Sequence, residues 1–260
     1  MAKFPATFPA TFPPRAARGG CAPAALARLH ASGATRRPRL EEDAITEPDL
    51  RASCDYAETF LPEAPAAVSA RDRAADSGVG AISPAVGAVL AFLAAALDAH
   101  SVVEIGTGAG VSACWLLRGM PPAGVLTSID TEAEHQRLAR TAVSEAGFAV
   151  NRVRLINGAA LDVMSRLADA SYDLVLVDLA TSEYGDLLDA AVRLLRPRGV
   201  VVFHDALSGG HIGDSARRDP HTVALRDLAK RLHADENLLP VALSIGAGLL
   251  AAVRAGKADQ

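Results

Sequence analysis

Residues 102–112 read V-V-E-I-G-T-G-A-G-V-S, and this stretch constrains the fold more than any other. β-branched residues and an acid run into three glycines at alternate positions, and a helix-like apolar segment follows. A strand ending in such a turn brings backbone N–H groups and a helix N-terminus to the carboxyl edge of a sheet, where open α/β sheets bind ligands. Gly106, Gly108 and Gly110 lack a Cβ, so the chain can take positive φ there and a ligand can approach the backbone closely.

The rest of the chain alternates outward from this turn. Apolar runs over 101–106, 125–130, 153–157, 172–178 and 199–204 predict five strands. Helical spacing over 111–118, 132–146, 161–168 and 184–195 fills the gaps, and residues 196–199 predict a closing turn after the last of these. Parallel strands joined by helical crossovers make a doubly wound sheet. A helix from Pro220 to Ala234 then precedes two strands, 238–245 and 248–253, which a Gly-Ala-Gly turn joins as an antiparallel hairpin. Upstream, 47–60, 66–75 and a segment from Pro84 to about Leu97 read as extra N-terminal helices that pack on the sheet or cap its ligand edge.

Residues 1–44 differ. Phe-Pro-Ala-Thr occurs twice from Phe4, and Lys3 with Arg15, Arg18, Arg28, Arg36, Arg37 and Arg39 precede the first acid, Glu41. Proline at this density opposes helix and ladder formation, and apolar area is scarce. The expectation is a disordered tail or a stretch ahead of the true start, with a basic arm that docks on a partner as the sharper alternative. Residues 45–260 form the expected catalytic domain.

A net charge of -4 argues against nucleic acid as a partner. No apolar run reaches the roughly 18 residues of a membrane span. Cys21, Cys54 and Cys114 are too few and too scattered for a disulfide framework or zinc site, so a cytoplasmic setting is the default.

Each strand end brings one functional group to the same edge: Glu104 and the glycine turn, Asp130, Asn157-Gly158-Ala159, Asp178, and His204-Asp205. Four carboxylates with no matching lysine or arginine favour a ligand bearing hydroxyls and positive charge over one bearing phosphates. Asp130 stands where a carboxylate accepts the hydroxyls of a ribose. The glycine spacing is G-x-G-x-G instead of the dinucleotide G-x-G-x-x-G, and Glu104 would repel a pyrophosphate.

The run E-I-G-T-G-A-G-V-S resembles the first motif of class I S-adenosylmethionine (SAM)-dependent methyltransferases, and residues 45–260 are similar to the catechol and caffeoyl-CoA O-methyltransferases. Tyr184, six residues after Asp178, is also where that family carries a tyrosine. The resemblance implies a Rossmann-like, doubly wound seven-stranded sheet with an antiparallel last strand, a small-molecule acceptor and a homodimer. It implies that Ile82 and Ser83 meet the methionine end of SAM. Glu104, Gly106, Thr107, Gly108, Gly110 and Ser112 would hold its amino-acid part, and Asp130 the ribose, with Thr131 beside it. Gly158 and Ala159 would border the adenine, and Asp178 would stand between cofactor and acceptor.

The metal-dependent members use two aspartates and an asparagine. Asp178 and Asp205 match the aspartates, but Ala206 occupies the third position, and Ala180 and Thr181 replace a second acid and a lysine. Magnesium accepts one or two carboxylates plus waters, which leaves room for a weak site, but the missing ligand disfavours metal-assisted chemistry. Asp178, Asp205, His204 and His211 are then the candidate bases, with the first three as the catalytic set. The glycine-containing loop after residue 207 reads as a lid over the acceptor. A SAM-binding protein without turnover and an oxidoreductase using a nicotinamide cofactor are the competing readings.

Overall fold

The computed structural model describes residues 46–256; the stretch 1–44 discussed above lies outside them. Seven strands form one sheet in the order β3-β2-β1-β4-β5-β7-β6. They are β1 (Ser101–Ile105), β2 (Val125–Asp130), β3 (Val153–Asn157), β4 (Tyr172–Val177), β5 (Leu195–His204), β6 (Leu238–Leu243) and β7 (Leu249–Arg254). Strands β1 to β5 pair in parallel, and β7 runs antiparallel between β5 and β6. The expected doubly wound sheet with its reversed last strand is therefore present. The order turns back between β1 and β4, so the glycine turn after β1 lies at the switch point, where such sheets hold ligands.

Eight helices accompany the sheet among the described residues: α1 (Glu47–Phe60), α2 (Pro65–Asp76), α3 (Pro84–Ala96), α4 (Val111–Gly119), α5 (Ala133–Glu145), α6 (Ala160–Met164), α7 (Tyr184–Leu194) and α8 (Pro220–Ala234). Strand side chains alternate between two cores. Val102, Leu126, Leu174 and Val202 face α3 and α4, while Val103, Ile129, Val175 and Phe203 face α7 and α8. Burial on both faces explains why these strands read as continuous apolar runs instead of alternating ones. Helix α7 shows how sequence becomes packing: Tyr184, Leu187, Leu188, Ala191 and Leu194 recur at helical spacing and are all buried.

Two local expectations need correction. Helix α6 ends at Met164 rather than running to Ala168, because the Arg193 guanidinium takes the Met164 and Leu167 carbonyls at 2.6 and 3.2 Å. The turn expected over 196–199 is a bulge inside β5. The register passes from Tyr172↔Leu195 to Leu174↔Val200, and Arg198 takes φ 65. Asp173, opposite the bulge, explains it: its carboxylate accepts Arg196 Nε at 2.5 Å and the N–H groups of His100 and Ser101 at 2.8 and 2.7 Å.

Candidate active site

The strand ends enclose a cavity of about 540 Å³. Its floor is the turn after β1. Gly106, Gly108 and Gly110 take φ of 96, 50 and 87, and Gly110 leads directly into α4 as its N-cap. Gly106 N–H donates to Ile129 O and Asp178 N–H to Ile105 O, which stitches β1 to both neighbours at the rim.

Of the residues singled out from the sequence, Ile82, Gly106, Thr107, Gly108, Ser112 and Asp130 line this cavity. So do Thr131, Gly158, Asp178, His204 and Asp205. Four do not. Ser83 caps α3, and its hydroxyl donates to Glu58 of α1 at 2.8 Å. Gly110 packs α4 on α5, where a Cβ would stand 2.7 Å from Ala139 Cα. Ala159 is the α6 N-cap, leaving Gly158 and Ala160 at the wall. Glu104 lies beneath the turn, wholly buried. His211 lies in the loop outside the lining and contacts Arg217.

Glu104 is the most unusual group in the molecule. Ser128 donates its hydroxyl to Glu104 Oε2 at 2.5 Å, and Thr107 Oγ1 adjoins Ser128 Oγ at 2.7 Å. Its other oxygen, Oε1, is buried with no hydrogen-bond partner. Burial pushes the carboxyl up to about 7, and the Ser112 and Ser128 side chains only partly oppose that. An orphaned, half-neutral carboxyl under a glycine turn fits a cationic ligand group far better than a phosphate.

Asp130 is held from several directions. Its Oδ2 accepts the N–H of Thr107 at 2.9 Å and of Gly108 at 3.3 Å, and meets His135 Nδ1 at 3.0 Å. Oδ1 accepts Glu132 N–H at 2.8 Å. Glu132 and His135 also line the cavity. Sequence reading missed both, although Glu132 lies only two residues past Asp130.

The opposite end of the cavity is built by the ends of β4 and β5. His204 Nδ1 meets Asp178 Oδ1 at 2.6 Å. Burial pulls the His204 imidazole down, but the hydrogen bond to Asp178 and the charges of Asp178 and Asp205 outweigh it, so its affinity for a proton stands above the ordinary value. Asp205 carries an exposed carboxylate on backbone at φ 51, a strained setting for a non-glycine residue. Tyr184 donates to Leu179 O at 3.0 Å, and burial pushes its phenol up to about 12. That phenol props the β4 turn and holds its proton at neutral pH. His221, at the start of α8, packs on the Tyr184 ring with centroids 5.9 Å apart and also lines the wall. No motif announces His221, because only the packing of α8 brings it there.

The family model described as O-methyltransferase matches residues 69–255. The chain belongs to the O-methyltransferase family. An O-methyltransferase-designated protein of Mycolicibacterium vanbaalenii is 50% identical to this family member over 200 residues, which cover 77% of this chain and 88% of the relative. A crystal structure from Corynebacterium glutamicum superposes with a TM-score of 0.76 at 35% identity, covering 81% of this chain and 99% of that one. The O-methyltransferase TomG from Streptomyces achromogenes, solved in complex with SAM and involved in tomaymycin synthesis, gives 0.72 at 28% identity over 79% of this chain and 96% of its own. Membership of this transferase family sets aside the oxidoreductase and non-catalytic readings.

The metal-dependent donor pattern does not fit this O-methyltransferase. Ala206 offers a methyl where the asparagine would stand and is itself fully buried. Asp178 Oδ1 is engaged by His204. Among the described residues no group of three or more His, Cys, Asp or Glu side chains is arranged to hold an ion.

Proposed function

We propose that this chain transfers the methyl group of SAM to a hydroxyl oxygen of a small-molecule acceptor, in the cytoplasm and as a homodimer. One observation carries the reading: the glycine turn and Asp130 beside it form one end of a single cavity, with the Glu104 carboxyl buried directly behind that turn. When bound, SAM supplies an electrophilic methyl on a sulfonium whose carbon–sulfur electron pair leaves with the sulfur. The chain's own residues bind, align and exclude water. Backbone at Gly106, Thr107 and Gly108 admits the amino-acid part at close range. Glu104 lends its charge to the ammonium from behind the turn, Asp130 and Glu132 face the ribose, and Gly158 with Ala160 leaves a flat wall for the base. Asp178 divides this end from the acceptor end, where Leu179, Ala180, His204, Asp205 and His221 gather. Alignment of this kind is the protein's main contribution to an in-line displacement.

For the dimer, support comes from α1, none of whose residues is buried among the described residues. Leu50, Tyr56 and Phe60 are 55, 67 and 69% exposed, and Phe92 of α3 is 69% exposed. Isothermal calorimetry tests the cofactor reading: SAM binds and NAD does not. Light scattering tests the dimer, and Phe60→Glu with Tyr56→Glu yields a monomer. Heat from NAD and none from SAM would sink the reading.

A further inference from the structure

We propose that this chain methylates without a divalent cation and that His204, oriented by Asp178, takes the acceptor's proton. The inference rests on the SAM-dependent reading above and goes beyond it by naming the base. Its first support is a donor set that fails for a metal. The third oxygen is replaced by the buried Ala206, whose only polar role is its N–H donating to Gly248 O at 3.1 Å. No lysine stands after Asp178, where the chain reads Leu179-Ala180-Thr181.

The second support is a dyad that occupies the vacated role. His204 Nδ1 lies 2.6 Å from Asp178 Oδ1, within hydrogen-bond reach. A carboxylate accepts only, so Nδ1 carries the proton and Nε2 presents a lone pair. Nε2 has no protein partner among the described residues, and His204 lines the cavity. The same division of labour orients the histidine of a catalytic triad. Asp205, one residue on, adds a second negative charge at the same wall, which favours the imidazolium once it forms. As the acceptor oxygen bonds to the methyl carbon, its O–H electron pair becomes available and the proton passes to His204 Nε2. Water later removes that proton, which restores the neutral imidazole and leaves one proton released per methyl transferred. His204 is thus a catalytic residue and Asp178 a positioning residue.

Long-range ¹H–¹⁵N spectra of full-length protein, recorded with and without S-adenosylhomocysteine, test both halves. His204 signals are identified by their loss in His204→Gln. The proposal expects a single Nδ1–H tautomer at His204 in the wild type and a mixed or inverted tautomer in Asp178→Asn. Added Mn²⁺ should broaden His204 no more than the remote His233. An Nε2–H tautomer in the wild type overturns the base, and selective broadening of His204 at micromolar Mn²⁺ overturns the metal-free half. On an acceptor that turns over, His204→Gln should lower kcat by roughly 10²-fold or more, the usual worth of a positioned base, with SAM affinity unchanged. Chelator should leave the wild-type rate within about twofold on the same scale of effects. Loss of most activity to chelator with recovery on Mg²⁺ also overturns it. Failure of the wild type to bind S-adenosylhomocysteine would count against the SAM reading alone, since the tautomer and Mn²⁺ experiments do not need it.

Discussion

Asp130 Oδ2 accepts the Thr107 backbone N–H at 2.9 Å, so the carboxylate that closes β2 also fixes the turn that closes β1. With the Gly108 and Glu132 N–H groups and His135 it engages four partners, and its side chain is only 9% exposed. On the proposed reading, a ribose would meet a carboxylate already locked in direction, with little rotamer freedom left to lose. Asp130→Ala removes a mostly buried acceptor at a cost of about 1–3 kcal/mol. SAM Kd should rise roughly 10- to 100-fold, while circular dichroism of the folded protein stays near that of the wild type. Unchanged affinity in calorimetry would leave Asp130 as a turn staple only.

Glu104 makes binding and stability depend on pH in a stated direction. Its ordinary value of 4.5 is raised to about 7 in the folded protein, so between those limits the folded chain holds a proton that the unfolded chain has lost. Stability is then full below pH 4.5 and falls as pH rises through about 7. The gap corresponds to about 3 kcal/mol as an order of magnitude. Glu104→Gln should flatten this slope and raise Tm at pH 8 relative to the wild type. A bound ammonium favours the ionised form, so wild-type SAM affinity should climb from pH 5.5 to 8 with release of a proton. Calorimetry in buffers of different ionisation heat reads that proton directly. A flat profile in the wild type would assign Glu104 to packing alone.

The three turn glycines are not equivalent. A Cβ on Gly106 would lie 2.1 Å from the Asp178 carbonyl oxygen, where β1 and β4 are stitched together, and one on Gly110 would lie 2.7 Å from Ala139 Cα. On Gly108 the nearest atoms are 3.7 Å away. Gly108→Ala therefore carries only the left-handed backbone cost, about 1–2 kcal/mol, and should lower Tm by a few degrees. Gly106→Ala and Gly110→Ala add backbone collisions and should express as unfolded or aggregated chain. Thermal melts that rank Gly108→Ala as the worst of the three would contradict this.

How far these relationships could be read in advance depends on their range along the chain. Strands β2 and β3 match their expected limits, since Val125 to Asp130 and Val153 to Asn157 are short apolar runs with turn residues on either side. The sheet edge was legible because each strand's last residue is fixed by those limits. What escaped is set by distant partners. Helix α6 stops where Arg193, far along the chain, takes its carbonyls. Ser83 is turned away from the cavity by Glu58 of α1. Glu104 belongs to the last turn of a strand, which reads as rim, yet the glycine turn folds over it and seals it off. His221 enters only through the docking of α8 on Tyr184.

The segment after β5 was expected to move as a lid, and Gly209 and Gly210 do take left-handed φ of 58 and 91. Yet the guanidinium of Arg226 on α8 clasps it through four backbone carbonyls. Nε donates to Ile212 at 2.9 Å, Nη1 to Arg217 at 2.7 Å, and Nη2 to His211 at 3.1 Å and to Asp214. The loop runs between Asp205 and His221, both of which line the cavity at the end proposed for the acceptor. A planar fork suits this arrangement, and lysine has one nitrogen with which to replace three. Arg226→Ala and Arg226→Lys should both speed tryptic cleavage at Arg217 and Arg218, raise the acceptor KM and leave the SAM Kd as it was. Cleavage at the wild-type rate in both variants would mean that the loop is held by Leu207 and Ile212 in the core instead.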